Sequence, residues 1–144
     1  YWINDGIESV YPTEDGYQRM LDKRVSLCGN WSKKIGSPVA ITGTNITYNS
    51  IGIPEANITF VNLTGKTVDY FRVAFTCYDS RGNITTNYPN LYDGTYEGWV
   101  DQADLEPYTF ESYYWTLYDN TATSKLGNLY MITAQYVDGT SWER

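Results

Sequence analysis

The residues best suited to chemistry crowd into one segment, NYPNLYDGTYEGWVDQADLEP, from Asn87 to Pro107. There Tyr92, Tyr96 and Trp99 interleave with Asp93, Glu97, Asp101 and Asp104. A ring face takes the apolar C–H side of a pyranose, and carboxylates accept hydrogen bonds from its hydroxyls. The mixture points to a neutral polysaccharide or glycan, with Tyr92, Tyr96 and Trp99 as stacking surfaces and Asp93 and Asp101 as acceptors. A connection this long commonly carries structure or function of its own. The plainer alternative is an extra hairpin whose rings cover a sandwich edge. Asp101, Asp104 and Glu106 could also offer oxygens to calcium, which wants about six to eight of them. No EF-hand spacing is present, so solvated loop acids are the simpler reading, and no metal or other cofactor is expected.

Other chemistry is narrowed by what the chain lacks. It has no histidine, which removes Ser-His-Asp and Cys-His nucleophiles and ordinary zinc sites. Seventeen Asp and Glu make some carboxylate pair inevitable, yet nothing singles one out for glycoside hydrolysis. No enzyme activity is expected. A formal charge of −7 repels polyanions, so nucleic acid and anionic membrane surfaces are not expected partners. No apolar run is long enough for membrane insertion. The chain starts at Tyr1 with no signal-peptide pattern, and reads as a piece of a longer polypeptide whose neighbouring domains are its partners. Cys28 and Cys77 could form a disulfide or remain buried thiols; the bond is not expected to be required for folding.

The elements that must position these residues are mostly strands. Fifteen Tyr, five Trp and four Phe supply much of the apolar surface, and Tyr and Thr favour strands. TVDYFRVAFTCYD is the clearest strand: Phe71, Val73, Phe75 and Cys77 share one face, while Tyr70, Arg72, Ala74, Thr76 and Tyr78 share the other. NITYNSIGI and ANITFVNLT alternate on either side of Pro54-Glu55, TGK and SRGN make turns, and Asp138-Gly139 marks a hairpin. In FESYYWTLYD, Tyr113, Trp115 and Leu117 face inward, and Phe110, Tyr114 and Tyr118 fall on the wetter face. Ahead of these strands, TEDGYQRMLDKRVSLCGN carries Tyr17, Met20, Leu21 and Val25 at helical spacing, with Gly29 to close it. Extended pieces are expected at IESVYP and NWSKKI. The expected core is Phe60, Phe71, Val73, Phe75, Trp115 and Ile132.

The stretch NLTGKTVDYFRVAFTCYDSRGN resembles the signature of the FxLYD-like β-sandwich domains. LEPYTFESYYWTLYD and AQYVDGTSWE are similar to later elements of a related uncharacterised domain of secreted Gram-positive bacterial proteins. The likeness runs from about Asn45 to Glu143 and departs at Pro107-Tyr108, where the pattern prefers Pro-Gly. It implies an immunoglobulin-like antiparallel β-sandwich over residues 39–144. Outside the likeness, residues 1–38 are expected to form an N-terminal extension, with one short helix, packed on it. The resemblance also implies an extracellular or cell-surface setting and no catalytic residues. Five N-x-S/T triplets, at Asn30, Asn45, Asn57, Asn62 and Asn83, then reflect only strand and turn composition. The expected role is a non-catalytic extracellular module that binds a neutral glycan; the alternative is a structural spacer or adhesin stalk domain.

Overall fold

The computed structural model describes residues 14–85 and 94–144. One helix, α1 (Glu14–Ile35), precedes seven strands: β1 (Val39–Tyr48), β2 (Pro54–Asn62), β3 (Val68–Tyr78), β4 (Thr95–Val100), β5 (Phe110–Thr116), β6 (Lys125–Tyr136) and β7 (Ser141–Glu143). They make two antiparallel sheets, ordered β1-β2-β5 and β4-β3-β6-β7. The sheets of three and four, linked by crossings between layers, form an immunoglobulin-like sandwich.

Period-two alternation sets the core. Phe71, Val73, Phe75 and Cys77 of β3 are fully buried and meet Ile58 and Phe60 of β2 across the layers. The Phe60 and Phe71 rings lie 4.7 Å apart, tilted by 56°. Trp115 and Tyr113 of β5 close one side of this cluster. Ile132 is a correction. Arg72 pairs with Thr133 and Val73 with Met131, so Ile132 sits in a bulge opposite no residue of β3. The extra residue turns its side chain to the outer face of the sheet, while Met131 and Ala134 enter the core.

The turns follow their side chains. The β1–β2 hairpin turns over Asn49–Ile53, upstream of the expected Pro54-Glu55, which instead opens β2. The Asn49 Oδ1 accepts from the N–H groups of Ile51 and Ile53, and Gly52 takes a φ of +80°. The Asp138-Gly139 hairpin is present, with Tyr136 N–H donating to Thr140 O at 2.9 Å.

The helix is longer than its spacing suggested, and NWSKKI is helical rather than extended. Gly29 lies inside it because the neighbouring Cys28 and Trp31 pack against Ala40, Val61 and Leu63. Tertiary burial there outweighs the cost of a helical glycine, about 1 kcal/mol. Gly36, at φ +68°, ends the helix instead; its N–H and that of Ser37 both donate to the Ser32 carbonyl. Asp15 pairs with Arg19 at 2.9 Å one turn along, and Lys33 and Lys34 occupy the last turn, as the helix dipole favours. The helix thus covers one end of the three-stranded sheet's outer face. Outward positions of that sheet are apolar only under it: Phe110 joins the same cluster, whereas Tyr114 and Tyr118 stay 63% and 67% exposed.

Candidate functional site

Of the five residues expected to bind a ligand, Tyr92 and Asp93 lie outside the described residues. The other three do not converge. β4 is a strand, so Tyr96 and Trp99, three residues apart, point to opposite faces. Tyr96 goes inward, its ring 5.2 Å from Phe75 and nearly parallel at 22°, where burial raises its phenol pKa. Trp99 goes outward and remains 54% exposed. Asp101 follows in an exposed turn. A shared stacking platform of Tyr96 and Trp99 is therefore replaced by one core ring and one surface ring. Among the described residues, no group of three acidic or cysteine side chains is close enough to hold a metal ion, Asp101, Asp104 and Glu106 included.

Trp99 instead joins residues from other strands. On the outer face of the four-stranded sheet, β3 contributes Tyr70 and Arg72, β4 contributes Glu97 and Trp99, and β6 contributes Tyr130 and Gln135. The Arg72 guanidinium lies over the Trp99 ring at 5.6 Å. It donates to the Tyr70 hydroxyl from Nε at 3.3 Å and from Nη2 at 3.0 Å, and Nη1 stands 3.5 Å from Glu97 Oε1. A second guanidinium, that of Arg144, lies 4.4 Å over the Tyr130 ring. Between the two pairs the sheet forms an open saddle of about 700 Å³. Arg72 and Arg144 offset Glu97 and Glu143 in its lining, leaving a neutral surface of rings, forked donors and carboxylate acceptors.

The pairing keeps this surface in shape. Arg72 is fixed by three partners at once, so little side-chain freedom remains to be lost when a ligand arrives. Behind it, the indole of Trp115 donates from Nε1 to the Trp99 carbonyl at 3.2 Å. Gly98 makes room: a Cβ there would meet Trp115 at 2.7 Å. The saddle escaped sequence reasoning because its members run from Tyr70 to Arg144 along the chain. One signal was available, the exclusively polar or aromatic outward row Tyr70-Arg72 of the clearest strand.

The segments carrying the FxLYD-like resemblance build turns rather than a site. Asn62, fully buried, donates from Nδ2 to the carbonyls of Lys66 and Leu105 and accepts at Oδ1 from Thr64. Asp79 Oδ1 accepts from the N–H groups of Arg81 and Asn83. Tyr108 takes the left-handed φ of +58° for which the pattern's glycine is suited.

No protein-family model matches the chain, and no curated protein matches it. Among solved structures, a hypothetical protein of Peptoclostridium difficile 630 superposes with a TM-score of 0.56 at 10% identity, over 74% of this chain and 86% of that one. This likeness shows a shared fold. A DUF1425 family member from Shewanella sp. pv-4 aligns at a TM-score of 0.44 and 16% identity, over 65% and 75% of the two chains.

Proposed function

We propose that this domain is a non-catalytic, extracellular ligand-binding module of a larger secreted or surface protein, and that it holds a neutral glycan on the outer face of the four-stranded sheet. The observation that carries the reading is the saddle between the Arg72–Trp99 and Arg144–Tyr130 pairs. Its lining rings, Tyr70 and Tyr130, with Trp99 at its margin beside Arg72, offer apolar surface to pyranose C–H groups, and its arginines and glutamates offer donors and acceptors to hydroxyls. Its balanced charge suits a neutral ligand within a chain whose formal charge is −7. The FxLYD-like resemblance supports the secreted setting and the absence of catalytic residues. The expected affinity of one open site is weak, on the order of 0.1–1 mM.

A panel of neutral polysaccharides and oligosaccharides, titrated calorimetrically against wild type, Trp99→Ala and Tyr130→Ala, tests this. Each variant is expected to weaken binding about five-fold or more, the equivalent of about 1 kcal/mol. A wild type that binds nothing in the panel would favour a spacer or stalk role. That second reading has its own support: the exposed rings are divided between the two outer faces, with Trp99 on one and Tyr114 and Tyr118 on the other.

A further inference from the structure

The saddle is contiguous with a second hollow. Tyr130 and Arg144 line both, and beyond them a space of about 250 Å³ opens where α1 ends beside β1 and β6. Its apolar lining is Trp31, Ile41 and Leu129, half-buried, with Val39, Ala40 and Met131 behind them, and its rim is Ile35, Gly36 and Ser37. Val39 and Met131 are buried members of the main core, so this wall is backed by packed side chains. The volume equals about eight water molecules' share of liquid, enough for a small substituent of a saccharide and too little for a long acyl chain.

The polar groups around it are specific. The Arg144 side chain stacks on Tyr130 and, among the described residues, makes no hydrogen bond or ion pair, so its donors are open. At the helix end, Gly36 and Ser37 both spend their N–H on Ser32. The residue four beyond Lys34 is Pro38, which has no N–H to give. Val39 N–H, four beyond Ile35, goes to Ser37 Oγ at 3.3 Å, so the rim residue Ile35 keeps its carbonyl as an acceptor at the negative end of the dipole. An apolar wall, an open donor and an open acceptor are the complement of one group: a methyl joined to an amide.

We propose that this hollow takes the N-acetyl group of an amino sugar, which makes the ligand of the adjoining saddle an N-acetylated saccharide rather than a plain hexose polymer. The methyl packs on Trp31, Ile41 and Leu129, the acetyl carbonyl accepts from Arg144, and the amide N–H donates to the end of α1. This assignment rests on the saddle reading and adds a chemical class to it.

The test compares two hexasaccharides of the same linkage, one of β-1,4-N-acetylglucosamine and one of β-1,4-glucose, by calorimetric titration. The acetylated chain is expected to bind at least about ten-fold more tightly. Ile35 is the exposed last residue of the helix, so Ile35→Trp can fill the hollow without touching the core, and its thermal melt checks that the fold is intact. That variant should abolish the preference and leave binding of the glucose chain unchanged, whereas Trp99→Ala should weaken both. Equal affinities in the wild type would overturn this inference and leave the saddle reading standing. A preference that survives Ile35→Trp would also overturn it. Failure of both chains to bind would overturn this inference, and failure of the whole neutral panel would overturn the saddle reading with it.

Discussion

Asn62 shows how much one side chain can organise. It joins the end of β2, the turn at Lys66 and the segment at Leu105 through bonds of 2.8 and 3.0 Å, with no exposure to solvent. Asn62→Ala would remove one of two donors from each carbonyl, leaving Leu105 O to Val68 N–H and Lys66 O to the Thr64 hydroxyl, and would orphan the Thr64 N–H; it is expected to destabilise the domain by about 1–3 kcal/mol in urea unfolding. Asp138 works at the surface. Its Oδ1 receives the N–H and hydroxyl of Thr140, and Oδ2 stands 3.0 Å from Lys66 Nζ. The Thr140 hydroxyl, the Thr140 N–H and Lys66, in that order, hold its carboxyl down at about 2. A depressed acid contributes stability above its unfolded pKa, near 4, and loses it as pH falls through the folded value. The melting-temperature advantage of wild type over Asp138→Ala should therefore be full at pH 6 and shrink steadily between about pH 4 and pH 2. Tyr108 is the converse case, a side chain in a glycine conformation, accommodated because it packs against the cluster of Cys28, Ala40, Val61 and Leu63.

Among the elements, β3 was the most legible because strict alternation leaves a single way to bury Phe71, Val73 and Phe75. Phe75→Ala should cost about 3–5 kcal/mol, since the cavity would also strip the stacked Tyr96 of its partner. The helix end was less legible: Gly29 is a local stop signal, and only the distant Val61 and Leu63 explain why it is overridden. Ile132 could not be placed from sequence, because a bulge adds one residue to the count without any composition of its own. The candidate site failed for a related reason. Proximity in sequence puts Tyr96 and Trp99 in one connecting segment, whereas strand geometry sends them to opposite faces, and the guanidinium over Trp99 comes from Arg72 of β3. The close approach of β4 to β5 is equally a long-range matter. Gly98→Ala should displace Trp115, break its bond to the Trp99 carbonyl and cost about 1–3 kcal/mol, visible as a shift in both urea midpoint and tryptophan fluorescence.

The described residues bury two separate apolar clusters, one between the sheets and one between the helix and the three-stranded sheet. Each contains one cysteine: Cys77 in the first and Cys28 in the second, both as free thiols. Burial raises the pKa of each, Cys77 against opposing hydrogen bonds from Thr123 and Asn120, and Cys28 against the Arg24 charge. Melting temperatures with and without reductant should therefore agree to within about a degree; a large drop on reduction would show that the thiols are bonded.

Housing the thiols apart also gives the fold two independent timekeepers. A thiol-labelling reagent reaches Cys28 whenever the helix lifts from Ala40, Val61 and Leu63, a local event that leaves both sheets intact. Cys77 becomes reachable only when the sheets themselves part. In native buffer Cys28 should label faster and with a shallower dependence on denaturant, in proportion to the smaller surface that helix undocking exposes, while Cys77 should label slowly and accelerate in step with global unfolding. The gap between the two rates measures how firmly the helix is docked, without a substitution anywhere in the chain.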